Sequence, residues 1–448
     1  MYLPESVLEL IRLLEGRGFE AWAVGGCVRD ALLGIEPHDY DLCTDAFPEQ
    51  MQEIFSGFPL VLAGIKHGTV GVVTAGGVVE ITTFRTEGDY TDARHPGWVK
   101  FVRNVDEDLA RRDFTINAMA YSPVRGYRDP FGGREDLKNR ILRGVGDPET
   151  RFREDALRIL RGARFAARFR LTIEEETWQA MLRTAPLMDT LARERVFTEL
   201  CGLVMCTDAP GLCRVAPIVA RAVPELAPMV GFDQHSPHHS YDVFTHTAWV
   251  LERVDNDLAL KLAALFHDSG KPATFSMDDI GRGHFVAHAK VGAKMAERIL
   301  LGLKAPTALR EEVVWLAENH MNYFQPSRKS IRRMLSHHGR QRLDKLLSLH
   351  RADLLGKDAE DITPALQRLE EIRQLIASVE EEEGRFTLKD LAVNGHDLMQ
   401  AGIAPGPGMK TLLHDLLELV LAEQLPNDRK SLLDHACSAQ EKAPVKNA

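Results

Sequence analysis

The chain has 448 residues and a formal net charge of −10, because 65 acidic residues outnumber 55 basic ones. Hydrophobic residues make up 44% of it, which is enough for packed cores and excludes a wholly disordered protein. The six cysteines form no CxxC pair, which excludes a disulfide scaffold, and no uncharged apolar run approaches the ~18 residues of a membrane span. We therefore expect a cytoplasmic protein with no membrane partner.

Strand and helix signals alternate over the first part of the chain. A short apolar strand, a Gly25-Gly26 turn and a helix follow one another over residues 21–33, and a second strand begins near Asp39. The segments TVGVVT and VVEITTF, joined by a glycine-rich turn, predict a hairpin. This order of elements predicts an α/β domain over residues 1–146.

From about residue 147 onward, helical periodicity replaces the strand signals. The segment RFREDALRILRGARFAARF predicts one helix with an apolar stripe of Leu157, Leu160, Ala163 and Ala167. Prolines and glycines between residues 224 and 237 and the acidic run EEEE mark boundaries further along. We therefore predict an α+β multidomain fold whose helical segments cover residues 147–232, 233–378 and 384–437.

Charged residues and histidines are unevenly distributed. Residues 94–170 hold 18 basic and 11 acidic residues, a local balance of +7 that suggests a polyanionic ligand; the alternative is a solvated arginine-rich face. Residues 235–353 hold 11 of the 17 histidines, which suggests a metal site.

The segment AVGGCVRDALLGIEPHDYDLCT combines two features of phosphate chemistry. A glycine pair between strand and helix lets backbone N–H groups approach a phosphate chain. Asp39 and Asp41 are two residues apart on the predicted strand, so both carboxylates point to one face and can hold Mg²⁺ for nucleotidyl transfer. The alternative for the DxD pattern alone is a solvated turn.

The EDALR segment suggests a means of selecting bases. Asp155 and Arg158 are predicted neighbours at i and i+3 of one helix. Cytosine and adenine each present an amino group beside a ring nitrogen. A carboxylate can accept a hydrogen bond from that amino group while a neighbouring guanidinium donates to the ring nitrogen. Such a pair binds cytosine and adenine and rejects uracil and guanine. Arg161 and Arg164 continue the stripe towards phosphate. The alternative is an ordinary helix salt bridge worth under ~0.5 kcal/mol.

These segments, in this order, resemble a known enzyme family. The first resembles the nucleotidyltransferase signature of the polymerase-β superfamily. TFRTEGDYTDARHPGWVKFV, RRDFTINAMAY, DPFGGREDLKNRILR and EDALRILRGARF resemble motifs of the class II tRNA nucleotidyltransferases, the CCA-adding enzymes and their poly(A) polymerase relatives. The resemblance implies a nucleotidyltransferase head at 1–146, a base-reading and RNA-binding neck and body at 147–232, and a small tRNA-binding tail at 384–437.

The resemblance also implies roles for individual residues. It makes Asp39 and Asp41 the catalytic carboxylates that bind Mg²⁺, with Glu80 as a further carboxylate near the metal. The residues that it assigns to the nucleotide are Gly26, Arg29, Arg111, Arg112, Asp113, Asp155, Arg158, Arg161 and Arg164. In this family the loop TEGDYTDARHPGW is associated with the switch from C to A addition, which argues against a CC-only enzyme.

The histidine-rich segment, residues 233–378, resembles the HD-domain phosphohydrolases. Imidazole and carboxylate ligands suit a divalent metal that activates water against phosphate esters. The alternatives are structural histidines, or an HD fold that keeps its ligands without activity. The residues that match the H…HD…D pattern and its additional histidines are His246, His267, Asp268, Asp353, His288 and His320.

The resemblance implies template-independent addition of C and A to the 3′ end of tRNA, from CTP and ATP, with Mg²⁺ at the head. An additional HD-type phosphohydrolase activity would use Mg, Mn, Ni, Co or Fe. The alternatives are a poly(A) polymerase, an A-adding-only tRNA nucleotidyltransferase, and an HD phosphodiesterase whose head only binds RNA. The oligomeric state is left open.

Overall fold

The structure is a computed structural model that describes residues 1–87, 99–236, 240–322, 326–357, 362–383 and 387–442. The chain divides into two compact units. The N-terminal unit comprises Met1–Val230 with Arg298–Thr307, and the C-terminal unit comprises Gly231–Glu297 with Ala308–Ala448. None of the described helices is both long enough and apolar enough to cross a membrane.

A mixed seven-stranded sheet forms the centre of the N-terminal unit. Its strand order is β3-β4-β5-β2-β1-β8-β9, with β2 parallel to β5 and antiparallel to β1. The four remaining strands of the unit form two short pairs, β6 with β7 and β10 with β11. The strands are β1 (Ala21–Val24), β2 (Asp41–Thr44), β3 (Leu60–Val61), β4 (Thr69–Thr74), β5 (Gly77–Thr83), β6 (Arg85–Glu87), β7 (Val99–Phe101), β8 (Ala120–Ser122), β9 (Gly126–Arg128), β10 (Ile141–Leu142) and β11 (Thr172–Ile173).

Helices cover the sheet and then make up the rest of this unit. Trp22 and Cys43 of the central strands pack with Phe84 and with Leu109 in one buried cluster, so the sheet and the helix that carries Leu109 share a core. The helices are α1 (Glu5–Gly16), α2 (Gly26–Leu32), α3 (Pro48–Ile54), α4 (Val105–Ala110), α5 (Gly133–Lys138), α6 (Pro148–Glu154), α7 (Leu157–Phe169), α8 (Glu175–Thr184), α9 (Arg193–Cys206), α10 (Ala209–Arg214) and α11 (Ala216–Ala222).

The C-terminal unit is helical apart from one short hairpin. Its last three helices enclose a leucine-rich cluster of their own that includes Leu398, Leu416 and Leu432. The elements are α12 (Val243–Arg253), α13 (Leu258–Phe266), α14 (Lys271–Thr274), β12 (Phe275–Met277), β13 (Gly283–Phe285), α15 (His288–Gly302), α16 (Thr307–Asn319), α17 (Arg328–Leu355), α18 (Thr363–Glu383), α19 (Gly395–Gln400), α20 (Pro407–Leu421) and α21 (Arg429–Lys442).

The predicted α+β class is confirmed. The predicted hairpin is confirmed as well, because β4 and β5 pair antiparallel from Thr69↔Thr82 to Thr74↔Gly77. The apolar stripe predicted for residues 157–167 is buried along α7.

Two local predictions were wrong. The strand predicted to begin near Asp39 starts at Asp41, so Asp39 precedes β2. The single helix predicted across the EDALR segment is two helices, because Asp155 takes an extended conformation (φ −144°, ψ 105°) between α6 and α7. The physical reason is a capping interaction, since the Asp155 carboxylate accepts a hydrogen bond from the N–H of Leu157 at 3.0 Å.

Candidate functional site

A cleft of about 410 Å³ in the N-terminal unit gathers most of the predicted nucleotide residues. It lies beside the starts of β2, α2 and α7. The predicted residues that line it are Gly26, Arg29, Asp41, Arg111, Arg112, Asp113, Asp155, Arg158 and Arg161. Asp39 and Arg164 are not among the lining residues.

Carboxylates concentrate at the end of the sheet beside this cleft. Asp41 is the first residue of β2 and stands opposite Glu80 of β5 in the parallel register. The Asp41 side chain is accessible, yet partial desolvation in the cleft raises its pKa. The positive charge of Arg112 opposes this rise, and the negative charges of Glu80 and Asp39 add to it. An all-oxygen donor set of this kind fits Mg²⁺. Asp41 lines the cleft, and Asp39 and Glu80 are near enough to influence its pKa, but the oxygens of these three carboxylates do not all lie within 4.8 Å of one another in the described structure.

The glycine pair has one position at which a side chain does not fit. Gly25 has φ +76°, and a Cβ built on it would lie 2.7 Å from Nη1 of Arg112. A Cβ on Gly26 would meet only Nη2 of Arg29, at an ordinary 3.6 Å. The positive φ therefore makes glycine necessary at 25, and the predicted contact of Gly26 with the nucleotide stays a prediction.

Arg29 was predicted to contact the nucleotide, but the structure commits its guanidinium to the protein. Its Nη1 donates to Oδ1 of Asn117 at 2.6 Å, its Nε donates to Asp30 at 2.8 Å, and its guanidinium carbon lies 4.6 Å from the ring centroid of Phe169. Burial lowers its pKa, against the opposing effect of Asp30. Arg29 thus connects α2 to α7 at the lining of the cleft, and its contact with a nucleotide stays a prediction.

Asp108 holds the two arginines of the RRDFT motif. Its Oδ1 lies 2.8 Å from Nη2 of Arg111, and its Oδ2 lies 3.3 Å from Nη2 of Arg112. Burial alone would raise the pKa of this carboxyl, but the two guanidinium groups hold it below its usual range. The arginines therefore reach the cleft from a fixed, ionised anchor at i−3 and i−4 on α4.

Asp113, predicted to orient the ribose, has donors from the protein on both oxygens. Oδ1 accepts from the N–H of Phe114 at 2.8 Å and from Nδ2 of Asn117 at 2.9 Å. Oδ2 lies 2.9 Å from Nε and 2.8 Å from Nη2 of Arg161. Burial opposes ionisation, but Arg161, Asn117 and Arg158 lower the pKa of Asp113 to about 2. The carboxylate joins the sheet region to α7.

The predicted base-reading residues line the cleft, but each is held by other partners. Asp155 pairs with Arg195 of α9 through Oδ2 and Nη2, at 2.7 Å. Arg158 donates from Nη1 to Glu154 at 2.7 Å and from Nη2 to the carbonyl of Arg111 at 2.9 Å. The helix salt bridge between Asp155 and Arg158, the alternative considered above, is absent from the ion pairs of the described residues. Both side chains are thus fixed before any base binds.

Arg164 was predicted to face phosphate, and the structure places it elsewhere. Its Nε lies 2.6 Å from Oε2 of Glu199, and its guanidinium stacks on Phe165 at 4.6 Å. These contacts join α7 to α9 outside the cleft lining. The predicted loop TEGDYTDARHPGW lies almost wholly in residues 88–98, which are outside the described residues.

A second cluster, in the C-terminal unit, contains four histidines and two aspartates. The Nε2 of His246 lies 3.0 Å from Asp353 Oδ1 and 3.5 Å from Asp268 Oδ2, and the Nε2 of His267 lies 3.2 Å from that same Asp268 oxygen. On the other side of Asp268, Oδ1 lies 3.4 Å from His288 Nε2 and 3.7 Å from His320 Nε2. All six predicted HD residues are brought together.

The four imidazoles of this cluster share one orientation. Each Nδ1 faces a backbone carbonyl, and each Nε2 faces the aspartates. This is the arrangement by which carbonyl groups orient metal-binding imidazoles. The carbonyl partners are Gly356 for His246 at 3.2 Å, Ala264 for His267 at 2.7 Å, Phe285 for His288 at 2.8 Å and Ala317 for His320 at 2.7 Å.

Two buried polar atoms at the centre of the cluster, Nε2 of His267 and Oδ2 of Asp268, make ionic contacts but no well-aligned hydrogen bond in the described structure: they lie 3.2 Å apart, and Lys271 Nζ lies 2.8 Å from the Asp268 oxygen. Ligand atoms of His246, His267 and Asp268 lie within 4.8 Å of one another, as do those of Asp268, His288 and His320. Because imidazole and carboxylate ligands suit a divalent metal, these residues fit such an ion.

Two lysines complete the charge balance of the cluster. Lys271 Nζ lies 2.8 Å from Asp268, and Lys357 Nζ lies 2.6 Å from Asp353. Burial would raise the pKa of Asp268, but His267 and Lys271 hold it well below its usual range. His267 directly follows the end of α13, which is why it and Asp268 can face one centre.

The sequence reasoning missed several residues that hold these sites. Asp108 had a local signal, since it stands three and four residues before two arginines on a helix. Lys357 had a similar local signal, since it stands four residues after Asp353. Asn117 and Arg195 contact Arg29 and Asp155, which are distant in the chain, and the sequence offered no pattern for these contacts.

Comparisons with known proteins agree with this arrangement. Family models match residues 21–143 (Poly A polymerase head domain), residues 170–211 (probable RNA and SrmB-binding site of polymerase A) and residues 284–436 (tRNA nucleotidyltransferase domain 2, putative). A CCA-adding enzyme of Levilactobacillus brevis is 33% identical over 441 residues, covering 96% of this chain and 98% of the relative. One from Streptococcus thermophilus is 33% identical over 447 residues, covering 96% and 97%.

Solved structures give the same result at the level of the fold. The CCA-adding enzyme of Bacillus stearothermophilus in complex with CTP is 29% identical, with a TM-score of 0.69 and 98% of both chains covered. The Thermotoga maritima CCA-adding enzyme complexed with tRNA is 20% identical, with a TM-score of 0.56, and shows the likeness of fold alone. The cleft, the order of its motifs and relatives that match over nearly their whole length lead to one conclusion: this chain belongs to the CCA-adding enzymes, the class II tRNA nucleotidyltransferases.

Proposed function

We propose that this protein adds C and A to the 3′ end of tRNA from CTP and ATP without a nucleic-acid template. The observation that carries the proposal is that one cleft holds Asp41 at the start of β2 together with the Asp155 and Arg158 side chains. A group for phosphoryl chemistry and a pair for reading a base edge thus face the same space. The CCA-adding enzyme of Bacillus stearothermophilus, which was solved in complex with CTP, supports CTP as a substrate.

The roles follow from the contacts. Asp39 and Asp41, with Glu80 beside them, would hold Mg²⁺, which when bound activates the attacking 3′-hydroxyl and stabilises the leaving pyrophosphate. Arg111 and Arg112, anchored by Asp108, supply positive charge for the triphosphate.

Base selection rests on two side chains that the protein holds in place. Asp155, held in place by Arg195, accepts from the amino group that cytosine and adenine share. Arg158 donates to the ring nitrogen beside that amino group. Uracil and guanine present a carbonyl to Asp155 and would leave two acceptors facing each other.

The organisation proposed for the chain remains the one read from the sequence. Residues 1–146 form the nucleotidyltransferase head, residues 147–232 the neck and body, and residues 384–437 a tail for tRNA. The cytoplasm, where tRNA and both nucleotides are available, is the proposed location.

The test uses purified full-length protein, labelled CTP or ATP, and three tRNAs that end before CCA, after C and after CC. Full CCA addition predicts that the first two take up C and the third takes up A, and that growth then stops. An A-adding-only enzyme would extend only the third tRNA, and a poly(A) polymerase would continue past one A. Absence of transfer to all three would refute the proposal.

A second activity is favoured by the buried histidine cluster. With four imidazoles oriented by carbonyl groups and their Nε2 atoms turned towards two buried aspartates, residues 233–378 suit an HD-type phosphohydrolase with Mg, Mn, Ni, Co or Fe. A bound metal would supply an activated water. Such a site would remove a terminal 3′-phosphate or open a 2′,3′-cyclic phosphate, either of which blocks the 3′-hydroxyl that nucleotide addition needs.

The variant His267→Ala/Asp268→Ala tests this activity against a matched control, His284→Ala, an exposed histidine of the same unit paired with Asp278. Phosphate release and ring opening are measured with each metal in turn, and bound metal is measured by elemental analysis. The double variant should lose metal and hydrolysis but keep nucleotide addition. A wild-type protein that binds none of these metals at the cluster and hydrolyses neither substrate would refute this activity.

A further inference from the structure

The N-terminal unit has a second, larger depression, which we call the α5 groove. It has a volume of about 1070 Å³ and lies between the end of α2, strand β9 and helix α5. Its lining includes Leu33, Tyr127, Arg134, Lys138 and Arg140, and it shares no lining residue with the nucleotide cleft. The roles assigned so far leave it without a ligand.

The positive charges of the α5 groove are not neutralised as they are in the nucleotide cleft. In the described part of the chain, neither Arg134 nor Arg140 has a carboxylate within ion-pair distance, and Lys138 has only a loose contact of 3.8 Å with Glu135. By contrast, Arg111, Arg112, Arg158 and Arg161 of the cleft each pair with an aspartate or glutamate. Three cations of one groove therefore remain available to a ligand.

The two carboxylates that line this groove are already engaged. Asp129 accepts from the backbone N–H groups of Gly133 at 2.7 Å and Arg134 at 2.9 Å, which fixes the start of α5. Glu135 accepts from Nδ2 of Asn139 at 2.9 Å. The remaining cation, Arg128, pairs with Asp106 outside the groove. The hydrogen bonds to Asp129 and Glu135 come from neutral donors and leave both carboxylates charged, so the four cations and two anions of the lining give a balance of +2, or +1 when Asp106 is counted, within a chain whose overall charge is −10.

Two of the cations are oriented in advance. The guanidinium of Arg134 stacks on Tyr127, 4.8 Å from the ring centroid, and the Tyr127 ring is supported by Tyr121 at 4.8 Å. Stacking fixes the plane of a guanidinium and leaves its edge donors free for phosphate oxygens. Arg140 has φ +57°, and its Nη1 donates to the carbonyl of Phe169 at 3.2 Å, which fixes the direction of its side chain.

We propose that the α5 groove binds backbone phosphates of the tRNA at a distance from the nucleotide cleft. The proposal rests on the proposed function, because it takes tRNA as the substrate. Arginine side chains with free donors suit phosphate oxygens, and a groove of this volume with three unneutralised cations suits consecutive phosphates of a polynucleotide. Contacts of this kind position an RNA without reading its sequence.

The test compares the full-length wild type with Arg134→Ala/Arg140→Ala in binding fluorescently labelled tRNA that lacks CCA, over a series of KCl concentrations. The double variant should raise Kd about tenfold and reduce the slope of log K against log salt by about 2, since each lost phosphate contact removes about one counterion. The KM for CTP and ATP should not change. The matched control is Arg12→Ala/Arg17→Ala, which removes one exposed arginine from α1 and one that directly follows α1, and it should leave Kd unchanged.

A second variant, Arg134→Lys/Arg140→Lys, separates charge from structure, because it keeps both charges and should keep the wild-type salt slope. Single Arg134→Ala, at an exposed position of α5, should reduce the slope by about 1 even if the double variant unfolds. A Kd and slope equal to those of the α1 control would overturn the proposal. So would a raised KM for ATP with unchanged tRNA binding, which would assign the groove to a free nucleotide. Nucleotide addition by the wild type, measured in parallel, reports separately on the proposed function.

Discussion

The substitution Asp113→Asn tests whether the contact between the sheet region and α7 depends on charge. Asp113 is 7% exposed and lies against Arg161 at 2.8 Å. Asparagine keeps the size of the side chain and an acceptor for one donor, but it removes the negative charge. Arg161, which is 35% exposed, then loses its carboxylate partner.

The magnitude follows from the pKa of Asp113. Burial opposes ionisation, yet Arg161, Asn117 and Arg158 lower the pKa from 3.8 to about 2. At about 1.4 kcal/mol per unit of pKa, ionised Asp113 contributes about 2 kcal/mol to the free energy of unfolding. Because the folded-state pKa is the lower one, this contribution is complete above the unfolded pKa and is lost as pH falls from about 4 to about 2.

The assay is equilibrium urea unfolding of the full-length chain, followed by circular dichroism, at several pH values from 7 down to 3. Asp113→Asn should be less stable by about 2 kcal/mol at pH 7, and the difference from wild type should shrink below pH 4. Hydrogen exchange at pH 7 should locate the loss in β8 and α7. Glu53→Gln removes an exposed carboxylate with a 3.6 Å ion pair and should change stability by less than about 0.5 kcal/mol. Equal stability of Asp113→Asn and wild type at pH 7 would refute the reasoning.

Three further predictions concern the cleft. Asp41→Asn should reduce the rate of nucleotide addition at least about a hundredfold, while tRNA binding, measured by fluorescence anisotropy, stays within twofold of wild type. A rate of addition within about tenfold of wild type would contradict a metal-binding role for Asp41. Asp155→Ala should lower the preference for CTP and ATP over UTP and GTP by about 1–3 kcal/mol, and unchanged selectivity in competition assays would remove it from base reading. Gly25→Ala should place a methyl group 2.7 Å from Arg112 Nη1, destabilise the fold by about 1–2 kcal/mol and raise the KM for both nucleotides. Gly26→Ala, which has an ordinary 3.6 Å contact, is its control in urea unfolding.

Local patterns predicted the parts of this fold that depend on local forces. The β4–β5 hairpin followed from alternating β-branched residues on both sides of a glycine turn, and the apolar stripe of α7 followed from its helical period. The aspartates near β2 were also found from spacing, although Asp39 precedes the strand.

Contacts between distant segments could not be predicted from these patterns. Arg29 looked available for phosphate, but it bonds to Asn117, 88 residues further along the chain. Arg164 was placed on the phosphate stripe by its spacing, and Glu199 of another helix takes its guanidinium. Helical periodicity continues unbroken through Asp155, so the capping interaction that separates α6 from α7 gave no periodic signal.

The break at Asp155 changes how base selection can evolve. Asp155 is tied to α9 through Arg195, whereas Arg158 is tied to Glu154 and to the backbone at Arg111. The spacing between the acceptor and the donor is therefore set by how separate segments pack, and not by the fixed rise of one helix. A library selected for altered base preference should for this reason yield substitutions at Arg195 and at its neighbours in α9, as well as at the two residues proposed to read the base.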